Sequence, residues 1–117
     1  MNHFIPLTTA AAMTAKFRGE RENILKAEYQ QQNVLPVAET YDKACFETLL
    51  SKAGCTGLRI YYGMDESLKI HAIIVAVNQN NEDMLPVASL AATEEEDIIE
   101  SGIRCPELCP AASPLNS

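Results

Sequence analysis

The stretch LRIYYGMDESLKIHAIIVAV, residues 58 to 77, decides the fold. Its two halves are rich in β-branched and aromatic residues, and Gly63, Asp65, Glu66 and Ser67 separate them, so it reads as a β-hairpin. A three-residue loop from Asp65 to Ser67 places Leu58, Ile60 and Tyr62 on the same face as Ile70, Ala72 and Ile74. An even-numbered loop would mix these residues with Lys69 and His71, so an odd loop is expected. The opposite face then carries Arg59, Tyr61, Lys69 and His71 near the turn, with Tyr61 directly across from His71. Farther from the turn the same face carries Ile73, Val75 and Val77.

Upstream, the pattern predicts a capped helix. Asp42 stands at the cap position, Tyr41 and Phe46 occupy the two positions of a hydrophobic staple, and Gly54 follows the last turn. The apolar stripe is Cys45, Phe46, Leu49, Leu50 and Ala53, and Val37 to Thr40 reads as a short extended lead-in. Before it, Thr8 or Thr9 is a plausible cap for an Ala-rich helix running to about Arg18, with Ile24 and Leu25 supporting a second helical piece. The polar run Gln30 to Asn33 reads as a linker.

Downstream, Asn78 to Asp83 has the composition of a turn, and Met84 to Leu90 can return as an edge strand because Pro86 bars it from a central one. Thr93 and Glu96 match a capping box, with Asp97, Ile98 and Ile99 continuing a short helix that Gly102 ends. The acidic run Glu94 to Asp97 fits a favourable helix start better than a cation site. Prolines at 106, 110 and 114 imply an extended tail from Cys105 to Ser117, leaving residues 8–104 as the globular part of a single domain.

At 117 residues, nearly half of them apolar, the chain is long enough to bury a core without covalent staples. A net charge of -7 repels phosphate backbones and anionic lipid, so no nucleic acid and no membrane surface are expected as partners. No apolar run reaches the roughly 20 residues needed to span a bilayer. The opening residues lack the basic start of an export signal, so the expected location is cytoplasmic and the expected state of the four cysteines is reduced.

Two clusters carry candidate chemistry. Cys105 and Cys109 have the spacing of a zinc knuckle, with Cys55 or His71 as further ligands, and the same pair can close a small disulfide loop. Cys45 lies on an apolar stripe, where a thiol behaves as a small hydrophobe. Free thiols are the favoured reading, with no cofactor, and zinc is the alternative. Arg59, Tyr61, Lys69 and His71 form the candidate polar surface cluster for anion binding or acid/base work, but such residues are also the normal outward members of an alternating strand. The chain has no phosphate-cradling loop, nucleophile elbow or metalloprotease helix, and no catalytic residue is assigned.

Taken together, residues 54–66 (GCTGLRIYYGMDE), the strand 71–78 (HAIIVAVN) and the closing 105–110 (CPELCP) resemble a family of small, uncharacterised bacterial proteins. The resemblance spans most of the chain and implies one small domain, with no activity attached. The expectation is therefore an α+β domain, two or three helices packed on a small, mainly antiparallel sheet centred on the hairpin. Its function is read as non-enzymatic interaction or assembly, with self-association covering the Ile73, Val75 and Val77 face and an unknown protein partner left open. The alternative is a metal-binding or thiol-dependent protein using Cys105 and Cys109.

Overall fold

In chain order the elements are α1 (Leu7–Glu20), a 3-10 turn (Ala27–Tyr29), β1 (Ala38–Thr40), α2 (Lys43–Leu50), β2 (Cys55–Met64), β3 (Ile70–Asn78), β4 (Ile98–Ile99) and β5 (Ile103–Cys105). The computed structural model describes residues 2–86 and 98–116. Two antiparallel sheets form, one ordered β2-β3-β4 and one pairing β1 with β5, so the α+β class is as expected. Among the described residues no helix is long and apolar enough to cross a membrane.

The hairpin keeps its faces but shifts its register. Met64 pairs with Ile70, so the loop runs over five residues, and Tyr61 lies across from Ile73 while His71 lies across from Gly63. Asp65 causes the widening. Its Oδ1 accepts from the backbone N–H of Ser67 at 2.8 Å and of Lys69 at 3.0 Å, which ties the loop to one side chain. Five and three are both odd, so Leu58, Ile60 and Tyr62 remain on the face of Ala72 and Ile74.

The core forms where α2 crosses this face. Leu49, only 1% exposed, meets Ile74, Ala76 and Ile99, with Tyr41, Cys45, Phe46, Cys55, Leu58 and Met84 packed around them. Burying Leu49 alone stabilises by about 1.5 to 3 kcal/mol. The Tyr41 and Phe46 rings stack with centroids 5.8 Å apart, which is the expected staple. Asp42 occupies the cap position but makes no side-chain cap bond, and Leu50, expected on the buried stripe, is exposed. Gly54 adopts φ 87°, a left-handed conformation open to glycine, and turns the chain into β2.

Several local expectations are corrected. Pro6, not Thr8 or Thr9, caps α1, and Gly19 lies inside the helix. Ile24 and Leu25 lie in turns rather than in a helix. No residue of α1 is buried, so this helix stands off the sheet instead of packing on it. Ile98 and Ile99 are a strand paired with Val75 and Ile74, because β-branched residues gain more against a β3 edge than at a helix end. The chain from Ile103 to Cys105 pairs with Thr40 to Ala38, so the expected extended tail begins as a strand and Cys105 is buried. Where a strand is expected from Met84, the described residues show an isolated antiparallel bridge of Asp83 with Val77 and a backbone bond from the Met84 N–H to the Ala76 carbonyl. The continuation of that strand past Pro86, the capping box at Thr93 and the run Glu94 to Asp97 lie outside the described residues.

The outer edge of β3 is completed piece by piece. The Ile70 N–H donates to the Val34 carbonyl at 2.8 Å, and the Ile70 carbonyl accepts from the Arg104 guanidinium. The Ala72 N–H donates to Glu39 Oε1 at 3.0 Å, and the Ala72 carbonyl accepts from the Tyr41 hydroxyl at 3.2 Å. That hydroxyl also faces Glu39 Oε2 at 3.1 Å. Side chains from β1, the chain after it and β5 thus stand where a neighbouring strand would be.

Burial, reinforced by the negative charge of Glu39, pushes the Tyr41 hydroxyl up to about 12. Between the ordinary tyrosine value near pH ~10 and that point, the folded chain holds a proton the unfolded chain has lost. The stability from this clamp is therefore full below pH ~10 and lost as pH rises through the folded value. Ultraviolet titration of tyrosinate should show one late step near pH 12 that disappears in Tyr41→Phe. An unchanged titration in the variant would contradict the assignment.

Candidate interaction surface

On the hairpin's core-side face, α2 covers Leu58, Ile74 and Ala76 but leaves the end nearer the turn open. There a groove of about 900 Å³ is lined by Phe17 of α1, the segment Leu35, Pro36, Ala38, Glu39, Thr40 and Tyr41, Phe46, and the sheet residues Ile60, Tyr62, Ile70, Ala72 and Ile74. Its Glu39 and Tyr41 polar atoms are engaged on Ala72. The groove therefore offers mainly apolar surface, with Ile60 54% and Tyr62 78% exposed. The open apolar face is thus not the one expected from sequence: Val75 is buried, and Ile73 and Val77 are half-buried.

The same residues also lie along an open strand edge. In an antiparallel ladder, directly opposite residues either exchange both backbone bonds or neither. Ala72 and Ile70 spend their N–H groups away from β2, so their partners Tyr62 and Met64 also point theirs outward. By the same alternation Leu58 and Ile60 do so as well. Among the described residues no strand pairs with that side of β2.

The polar residues expected to converge do not form one cluster. Arg59 and Tyr61 share Asp83, one carboxylate oxygen each, and Arg59 also donates to the Asn81 carbonyl at 3.0 Å. The hydrogen bond from Tyr61 and the Arg59 guanidinium hold the Asp83 carboxyl below its usual range. Lys69 turns to Glu107 at 3.3 Å, joining the hairpin loop to the tail.

His71 stands apart from both, with Nε2 2.6 Å from Asp65 Oδ2. Its Nδ1 lies 3.2 Å from Glu100 Oε1 but outside hydrogen-bonding geometry. These groups border a cleft of about 470 Å³ with Ser101. The hydrogen bond from His71, then the backbone N–H of Lys69, lower the Asp65 carboxyl, whereas the Ser101 hydroxyl is the main cause that lowers Glu100.

Sequence reasoning missed Asp83 and Glu100 as partners and Glu39, Tyr41 and Arg104 as edge groups. Asp83 had one local signal, a carboxylate closing the turn that follows β3. Glu39 had another, an acidic residue inside a strand of only three residues.

Cys105 and Cys109 are joined in a disulfide, which corrects the expectation of four free thiols. The bonded sulfurs are not thiolate donors, and among the described residues no group of three His, Cys, Asp or Glu side chains is placed to hold a metal ion. Cys55 packs against the core, and its thiol faces the Gly57 carbonyl at 3.3 Å. Cys45 faces the Asp42 carbonyl at 2.9 Å.

Comparison with protein-family models, with curated proteins and with solved structures finds no match.

Denatured, unreduced protein should titrate two thiols, Cys45 and Cys55, and all four cysteines after reduction. Four titratable thiols before reduction would remove the disulfide.

Proposed function

We propose that this chain is a non-enzymatic interaction module that self-associates through the open edge of β2 and the apolar face beside it. The observation that supports this reading most is a coincidence on one strand. Leu58, Ile60, Tyr62 and Met64 carry the outward backbone groups, and Ile60, Tyr62 and Met64 are each more than half exposed. Unpaired backbone and apolar side chains together form a template for another strand.

A two-fold pairing of β2 with β2 sets Ile60 of one copy across from Tyr62 of the other, and Leu58 across from Met64. Every outward pair is then apolar, and each contributes about 0.2 to 1 kcal/mol beyond the backbone bonds. The only charge on β2 is Arg59, and Asp83 already neutralises it, so the chain's acidity places no unpaired charge on the contact strand.

A second reading, thiol-disulfide chemistry, is supported by one feature: the bonded pair joins a buried Cys105 to an exposed Cys109 that an external thiolate can reach.

Sedimentation velocity across the micromolar range tests the first reading. The wild-type chain is expected to associate, and Ile60→Lys with Tyr62→Lys should weaken association by about tenfold or more. A wild-type chain that stays monomeric throughout overturns it.

A further inference from the structure

We infer that the segment Phe4 to Met13 of one copy lies in the apolar groove of a second copy, an inference that rests on the self-association just proposed.

The first argument is burial. Phe4 is 92% exposed and Met13 63%, with Ile5 and Leu7 also exposed, and no residue of α1 is buried. These apolar side chains gain about 25 cal/mol for each Å² they remove from water, and the described residues of their own chain leave them exposed. The second is charge. All 16 acidic residues of the chain lie at Glu20 or beyond, whereas the segment before Glu20 carries Lys16 and Arg18. The groove's one charged lining residue is the acidic Glu39. The inserted stretch Phe4 to Met13 is itself uncharged, so it meets no repulsion from the neighbour's acidic body.

The third argument is connectivity. Phe17 already lines the groove of its own copy, and α1 leads from there back to Leu7 without a glycine or proline before Gly19. Such a helix has no hinge that would return Phe4 to its own groove. Helical rise places Leu7 about 15 Å from Phe17. The extended residues before Leu7 add roughly 3.3 Å each, enough to reach across several strands spaced about 4.8 Å apart. If two copies join at β2, the partner's groove lies directly across that edge.

The test uses the full-length chain. A photo-crosslinking phenylalanine analogue is placed at Phe4, and isotopically light and heavy protein are mixed before irradiation. Crosslinks joining a light copy to a heavy one at Ile60, Tyr62 or Ile70 are expected. In parallel, Phe4→Asp with Ile5→Asp should weaken association by about tenfold without unfolding the domain, because both side chains are exposed.

Crosslinks confined within one copy, or none to the groove, overturn the exchange of arms. Association of the wild type with an unchanged constant in Phe4→Asp with Ile5→Asp also overturns it while leaving self-association through β2 standing. A monomeric wild type removes both.

Discussion

The structure depends on how the outer edge of β3 is closed. A sheet edge is a row of unpaired donors and acceptors, and in this chain most of that edge is closed without a full-length strand. The Glu39 carboxylate takes the Ala72 N–H, the Tyr41 hydroxyl gives to the Ala72 carbonyl, and Arg104 gives to the Ile70 carbonyl. Since Glu39 lies in β1 and Arg104 in β5, the same bonds fasten the two-stranded sheet to the hairpin. Arg104 also reaches the Asn33 carbonyl at 3.1 Å, which holds the segment before β1 in place. Closing one edge in this way is what gives a chain of this size two connected sheets.

Among the described residues the opposite edge, along β2, has no paired strand. β2 keeps outward backbone groups on the residues whose side chains form the open apolar surface, so the two features share one cause, the alternation of an antiparallel ladder. The hydrophobic core lies at the far end of the same face, where α2 covers Ile74 and Ala76. Of α2, Phe46 lines the groove whose other wall includes Tyr62. Short α2, with eight residues, therefore sets both the size of the core and the size of the groove. The polar face behind is already engaged: Arg59 and Tyr61 on Asp83, Lys69 on Glu107 and His71 on Asp65.

What was legible in the sequence is what depends on local period and local chemistry. The hairpin's faces survive a change of loop length from three to five because any odd loop preserves side-chain parity, whereas the register goes with two backbone N–H bonds accepted by Asp65 that composition does not specify. The staple of Tyr41 on Phe46 was legible because its partners are near neighbours in sequence. Ile98 and Ile99 were misread because their strand exists only through pairing with a distant β3, and Cys105 because its partner is Ala38. The candidate polar cluster is divided for the same reason, with Arg59 and Tyr61 meeting on Asp83. Side-chain type places Arg59, Tyr61, Lys69 and His71 near one turn, but Lys69 turns to Glu107 and His71 to Asp65 while Arg59 and Tyr61 share Asp83.

The contrast between a closed β3 edge and an open β2 edge is tested most directly by amide hydrogen exchange at single-residue resolution over a range of protein concentration. The Ile70 and Ala72 amides, bonded to Val34 and Glu39, should be protected at every concentration. The Ile60 and Tyr62 amides should exchange quickly in dilute solution and become protected as concentration rises. Exchange at Ile60 and Tyr62 that does not change with concentration would contradict an open edge that pairs with another copy.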